Sequence, residues 1–210
     1  MRNGGNGKKI VLLGVGSTYF TRGIIESLCV WGGEWEVGLV DIDRRSLDIA
    51  RRLAKRLVDL YGAPITLRAS TDRRDVLPGA DAVVATIGVG GRKAWELDIR
   101  IPRRFGIFQH TGDTYGAGGI SRSLRTLPVL VAVAKDMERL CPKAVLFDFT
   151  NPMTTVCRAL NRYSSVRTVG LCCGVRAFHR RLSDLVGVKD TEVFCRAVGL
   201  NHFTWILDMV

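Results

Sequence analysis

The sequence has 210 residues, 47% of them hydrophobic, and a formal net charge of +11. At about 100–200 residues per domain, that length and apolar share build one domain or slightly more with a full core, so the chain reads as a soluble globular protein. The charge is no signature of nucleic-acid binding: its densest run, Arg44, Arg45, Arg51, Arg52, Lys55 and Arg56, lacks interleaved aromatics and shares helical spacing with Leu47, Ala50, Leu53, Ala54, Leu57 and Leu60, the pattern of a solvated helix face.

In chain order, the opening Met1 to Lys9 is rich in Gly and Asn, and the apolar run after it stops at Gly14, far short of the ~20 residues of a membrane span. Neither a signal peptide nor a membrane partner is expected. Lys9 to Leu13 suits a strand buried on both faces, and Tyr19 to Trp31 then has helical spacing through Ile24, Ile25 and Leu28. Val37 to Val40 predicts a second strand ending at Asp41, Arg44 to Tyr61 a helix, and Ile65–Leu67 and Ala82–Ile87 two more strands. Beyond the glycine-rich 88–91 come a helix over Lys93–Arg104, a polar, glycine-dense loop over Gly106–Gly119, and a helix over Ile120–Leu140. A strand at Ala144–Phe147, the turn Thr150-Asn151-Pro152, a helix to Tyr163 and a strand at Val166–Leu171 follow.

Short strands alternating with longer helices predict an α/β fold, a doubly wound Rossmann-like parallel sheet with right-handed crossovers. Residues 1–196 are assigned to it. Residues 197–210 are apolar and stop without a cap or polar tail, so they are expected to begin a second, truncated domain. The six cysteines, at irregular spacings in such a chain, fit reduced thiols in the cytoplasm better than a secreted disulfide framework.

Two motifs carry the chemistry. In the loop Gly14-Val15-Gly16-Ser17-Thr18-Tyr19, Gly14 permits a tight turn after the strand and Gly16 lets the backbone approach a pyrophosphate lying on the helix-start amides. Asp41 follows a strand at about the ~20-residue spacing of an acid that binds ribose hydroxyls, which favours NAD, although Arg44 and Arg45 stand near enough to accept a 2′-phosphate. The second motif is Cys172 with His202, a thiolate and an imidazole suited to a divalent metal; with only two protein ligands, such a metal keeps positions open for water or substrate oxygens. Taken singly, each of the two also fits a buried or hydrogen-bonded structural role. Asn151, held extended by Pro152, aims toward the carboxyl end of the sheet, and Asp113 in its glycine-rich loop either receives a substrate hydroxyl or caps a local turn. His110 and His179 have no distinctive context.

Together these runs resemble glycoside hydrolase family 4, the NAD- and divalent-metal-dependent glycosidases. The matching residues are Gly14 to Gly23, Val40-Asp41-Ile42-Asp43, Val89-Gly90-Gly91, Gly112-Asp113-Thr114 with Gly118-Gly119, Ser123 to Val129, Thr150-Asn151-Pro152-Met153, Gly170-Leu171-Cys172 and Gly199-Leu200-Asn201-His202. The resemblance implies NAD on Gly14, Gly16, Ser17, Thr18 and Asp41, a metal, Mn2+ by preference, on Cys172 and His202, and sugar contacts from Asn151 and Asp113. It also implies a route outside two-carboxylate hydrolysis: oxidation at the sugar C3, removal of an acidified C2 proton, elimination of the aglycone, addition of water and return of the hydride. The loop around Asp113, the 150–153 run and Gly88, where phosphate-specific relatives place an arginine, favour unphosphorylated α-galactosides, α-glucosides or α-galacturonides.

The chain departs from the family pattern in two further ways. Cys173 stands where members commonly carry His or Asp, which makes its thiol, with an ordinary pKa of ~8.5, the candidate leaving-group acid. The family's tyrosine base falls beyond residue 210, and Tyr19, Tyr61, Tyr115 and Tyr163 do not match it, so a fragment of low activity is expected, as a homo-oligomer or with a complementing C-terminal fragment. The alternatives are a 2-hydroxyacid dehydrogenase of the lactate/malate kind and a non-catalytic NAD-binding remnant.

Overall fold

The computed structural model describes residues 7–210; the first six residues of the Gly/Asn-rich opening lie outside the described residues. Strand β1 (Lys8–Leu13) leads into helix α1 (Thr18–Trp31), β2 (Trp35–Val40), α2 (Arg44–Tyr61), β3 (Ile65–Ser70) and β4 (Ala82–Ala85). The chain continues through α3 (Gly91–Arg103), α4 (Gly116–Leu140), β5 (Val145–Asp148), α5 (Met153–Tyr163), β6 (Arg167–Gly170) and α6 (Gly174–Val186), and closes with β7 (Cys195–Leu200) and β8 (Phe203–Met209). Six strands form one sheet in the order β3-β2-β1-β4-β5-β6, every pair parallel, and β7 with β8 forms a separate antiparallel pair. No helix among the described residues is long and apolar enough to cross a membrane.

The sheet buries both faces because its inner strands carry apolar side chains on both sides over most of their length. In β1, Val11 and Leu13 join Val83, Leu130, Met137, Leu146 and Leu160 on the face covered by α4 and α5. Ile10 and Leu12 join Ile25, Leu39, Leu47 and Ala54 on the face covered by α1 and α2. A period-2 strand with two apolar faces requires helices on both sides, so the winding follows directly from the sequence. Helix α2 shows how the basic run is used: Leu47, Ala50, Ala54 and Leu57 are buried, and Lys55 and several arginines stay exposed on the other side. It starts where the Asp43 carboxylate accepts from the Arg45 and Ser46 amides, and stops at the left-handed Gly62.

The structure moves some expected boundaries. Helix α4 starts at Gly116 and takes in 116–119, which the sequence assigns to the loop, because packing against that loop outweighs the poor helix propensity of glycine. Helix α6 has no counterpart among the expected elements. The boundary assigned after residue 196 falls inside β7, at the irregularity in register between Arg196 and Ala197.

A carboxyl group sits in this core below the site. Asp148 at the end of β5 is fully buried; one carboxylate oxygen accepts from the Thr150 amide at 3.0 Å and the other has no partner. Burial pushes its pKa up to about 7, against the opposing hydrogen bonds from Thr150. The folded protein therefore holds a proton that the unfolded chain, titrating near 3.8, releases earlier, so this group's contribution to stability falls as pH rises from about 4 to about 7 and is level above that. Asp148→Asn is expected to raise stability at pH 8 by about 1–4 kcal/mol, with the gain vanishing towards pH 4. Denaturant unfolding at several pH values reads this, and a loss of stability at pH 8 would contradict it.

Candidate functional site

The site starts at the switch point of the sheet, where chains leaving β1 and β4 part to opposite faces and open a crevice at the carboxyl ends. Gly14 has φ +84°, and a Cβ there would come within 2.8 Å of the Thr86 carbonyl oxygen, so only glycine makes this turn. At Gly16 a Cβ would lie 2.9 Å from the Asp41 carboxylate, which accepts from the Gly16 amide at 2.7 Å. Ser17 is the N-cap of α1 yet makes no side-chain cap bond, which leaves first-turn amides open to a ligand. Gly14, Gly16, Ser17 and Asp41 line a cavity of ≈ 1060 Å³ that runs on to Asp113 and Asn151. These features fit a dinucleotide. Thr18 begins α1 and lines a different surface hollow.

Arg44 and Arg45 do not line this crevice. Its cations are Arg73, paired with Asp136 at 2.6 Å, Arg74, paired with Asp72 at 2.6 Å, and Arg122, whose Nε donates to the Asn151 carbonyl at 3.0 Å.

The loop before α4 is fixed by a buried polar frame. The Arg125 guanidinium grips the buried Asp98 carboxylate with two hydrogen bonds, one of them 2.8 Å, and its Nε donates to the Val89 carbonyl at 3.0 Å. From the same region the Gln109 amide donates to the Asp98 carbonyl at 2.8 Å and accepts from the Gly118 amide at 2.6 Å. Gly119 then lies so close to the loop that a Cβ would come 2.6 Å from the Thr114 carbonyl carbon. Residues 88–91, 109–114 and the start of α4 are thus locked to one another.

That frame presents Asp113 and Thr114 to two distant segments. The Asn151 side chain donates to Asp113 Oδ2 at 3.2 Å, and the Thr114 hydroxyl donates to Asp113 Oδ1 at 2.7 Å. Thr114 Oγ1 also lies 2.8 Å from His202 Nδ1, and His202 Nε2 lies 3.5 Å from Cys172 Sγ. Four residues singled out in the sequence, Asn151, Asp113, His202 and Cys172, are therefore joined through Thr114, which stands out in the sequence only as part of the Gly112-Asp113-Thr114 run. His202 sits in the β7–β8 turn with φ +62°.

Cys172 and His202 face a second cavity, ≈ 570 Å³, which they share with Asn201. Two ligands at the usual ~2.1 and ~2.3 Å of nitrogen and sulfur stand about 3.6 Å apart around a tetrahedral ion, so the observed 3.5 Å fits one shared cation. The buried Asn201 side-chain oxygen beside them has no hydrogen-bond partner. No cluster of three or more His, Cys, Asp or Glu gathers among the described residues, so a cation held here keeps open positions.

Cys173 is the N-cap of α6 and lines neither cavity, which separates its thiol from the chemistry expected of a leaving-group acid. The His179 ring meets the Val193 carbonyl at 3.0 Å, so neither it nor His202 pairs directly with a carboxylate, as the lactate/malate alternative requires.

The chain also has matches among known proteins. Residues 9–188 match the model of the family described as family 4 glycosyl hydrolase. An alpha-galactosidase of Bacillus subtilis is 37% identical over 205 residues, covering 96% of this chain and 48% of that protein. A 6-phospho-beta-glucosidase of Escherichia coli is 37% identical over 96% of this chain and 46% of its own length. Among solved structures, a 6-phospho-beta glucosidase from Thermotoga maritima with manganese, NAD+ and glucose-6-phosphate superposes with a TM-score of 0.84 at 25% identity, over 96% of this chain and 48% of that one. The chain spans about half the length of the curated relatives it matches.

The close approach at Gly119 gives a direct check on the frame. Gly119→Ala is expected to cost about 1–3 kcal/mol in denaturant unfolding, because backbone rather than a flexible side chain occupies the space. A change within ±0.5 kcal/mol would mean that the loop yields freely.

Proposed function

Since this chain belongs to the family 4 glycosyl hydrolases, we propose that it supplies the dinucleotide- and cation-binding part of an enzyme that cleaves O-glycosidic bonds. The observation that carries the proposal is the hydrogen-bonded path from Asn151, on the wall of the larger cavity, to the Cys172–His202 pair on the smaller one. Bound together, NAD and a divalent cation supply reversible hydride abstraction at the sugar C3 and polarisation of the neighbouring oxygens, which acidifies the C2 proton.

The chain's residues prepare that chemistry. Gly14 and Gly16 keep the turn free of side chains so that a pyrophosphate comes close, Ser17 leaves the first-turn amides of α1 open to it, and Thr18 continues the loop into the helix. Asp41, already held by the Gly16 and Asp43 amides, aims at the ribose hydroxyls. Arg73 and Arg74 are occupied by carboxylates, which favours NAD over a cofactor with a 2′-phosphate. Cys172 and His202 take the cation, Mn2+ by preference, with its open positions left to sugar oxygens. Asn151 and Asp113 stand where the ring enters. Cys173 is dropped as proton donor, since its thiol lines neither cavity.

The substrate is proposed to be an unphosphorylated α-glycoside, with α-galactoside first. Gly88 on the crevice wall offers no cation to a sugar phosphate, and Arg122, which lines the same crevice, is engaged with the Asn151 carbonyl. Bond cleavage is a property proposed for the whole enzyme in the cytoplasm, with a homo-oligomer or a complementing segment as its partner.

Calorimetric titration of the chain with NAD tests the reading. Binding is expected to weaken at least about tenfold in Asp41→Ala, the loss of roughly 1.4 kcal/mol or more. Any cleavage of an aryl α-galactoside is expected to require both NAD and Mn2+. A chain that takes up no NAD, or cleavage that survives a chelator, would overturn it.

A further inference from the structure

We propose that Asp113 and Thr114 are positioning residues for the cation site: together they fix His202 as the tautomer protonated at Nδ1, so that its Nε2 lone pair faces Cys172 Sγ. The inference rests on the cation-binding reading above for its purpose, and on proton counting for its substance.

A threonine hydroxyl has one proton. Asp113, as a carboxylate, can only accept, and its Oδ1 lies 2.7 Å from Thr114 Oγ1, so the hydroxyl proton is committed to Asp113. Its other oxygen is met by the Asn151 amide at 3.2 Å, which must present its NH2 group for the same reason. Thr114 Oγ1 is left only lone pairs for the 2.8 Å contact with His202, so Nδ1 carries the hydrogen and donates. In a neutral ring Nε2 is then bare. It points at Cys172 Sγ, 3.5 Å away, and that sulfur also accepts from the Gly174 amide at 3.4 Å. The lone pair and the sulfur therefore face each other across the space that a cation would take.

Every donor in this path has one acceptor, and the direction is set entirely by the carboxylate at its head. Hydrogen bonding of the remote ring nitrogen commonly governs how well a histidine binds a metal, and losing such a partner costs about 10–100-fold in affinity. The same carboxylate holds Asn151 on the wall of the dinucleotide cavity, so one side chain registers the two cavities against each other.

The test uses the chain itself with Thr114→Val, which keeps the shape and removes the hydroxyl, and Thr114→Ser, which keeps the hydroxyl. Long-range 1H–15N correlation spectra of the metal-free chain read the tautomer. The expected result is His202 protonated at Nδ1 in wild type and Thr114→Ser, with a shift toward the Nε2-protonated form or a mixture in Thr114→Val. Titration with Co2+ alone, followed by sulfur-to-cobalt charge-transfer absorption, is expected to weaken about 10–100-fold in Thr114→Val and to recover in Thr114→Ser. An Nε2-protonated His202 in wild type, or unchanged Co2+ binding in a folded Thr114→Val, would overturn the proposal. If wild type shows the expected tautomer and takes up no Co2+, the cation reading fails and the proton assignment stands.

Discussion

The hydroxyl of Thr114 is the smallest group in the site and the one on which its geometry turns. It gives its only proton to Asp113 and receives His202, so a residue in the loop before α4 is tied to one in the turn of the β7–β8 pair. Without that bond the β7–β8 turn would lose a tether to the rest of the site, because most large apolar side chains of the pair are exposed and supply little packing. A short hydrogen bond at a sterically fixed position therefore does what apolar burial does elsewhere in the molecule. Its position is set by the loop that carries it, which Asp98, Arg125 and Gln109 hold to the start of α4 independently of His202.

The fold and the site divide the work. The doubly buried sheet sets where β1 and β4 diverge, and that divergence creates the crevice into which Gly14, Gly16 and Asp41 project. Cys172 and His202 belong to a later part of the chain, after β6, where burial is lighter. The hydrogen-bond path through Asp113 brings the two parts into register, an arrangement suited to chemistry in which a hydride acceptor and an electrophilic ion must reach adjacent carbons of one ring.

Much of this was legible in the residues because it depends on local pattern. The strand, glycine turn, helix and downstream Asp41 lie within about one βαβ unit, and two apolar faces in β1 state the winding. The Cys172–His202 pairing rests on ligand chemistry and family resemblance, since nothing in the spacing of two residues thirty apart requires contact. Thr114 lay hidden inside a motif: its partner is 88 positions away, and a hydroxyl carries no charge or periodicity to mark it. The start of α4 was misplaced for a related reason. Glycine propensity argues for loop, while close packing of Gly118 and Gly119 on residues 112–114 makes helix the better solution, a tertiary override of a local preference. Cys173, assigned from a family position that commonly carries His or Asp, stands at the start of α6 outside the lining of both cavities.

The central claim is that the dinucleotide crevice and the sulfur–imidazole pair serve one reacting centre. Paramagnetic broadening of the proton resonances of NAD by Mn2+ bound to the chain measures this directly, because the effect falls steeply with distance from the ion. If the two cavities serve one centre, the nicotinamide protons broaden strongly and the adenine protons little. Equal broadening at both ends, or broadening confined to the adenine, would contradict it.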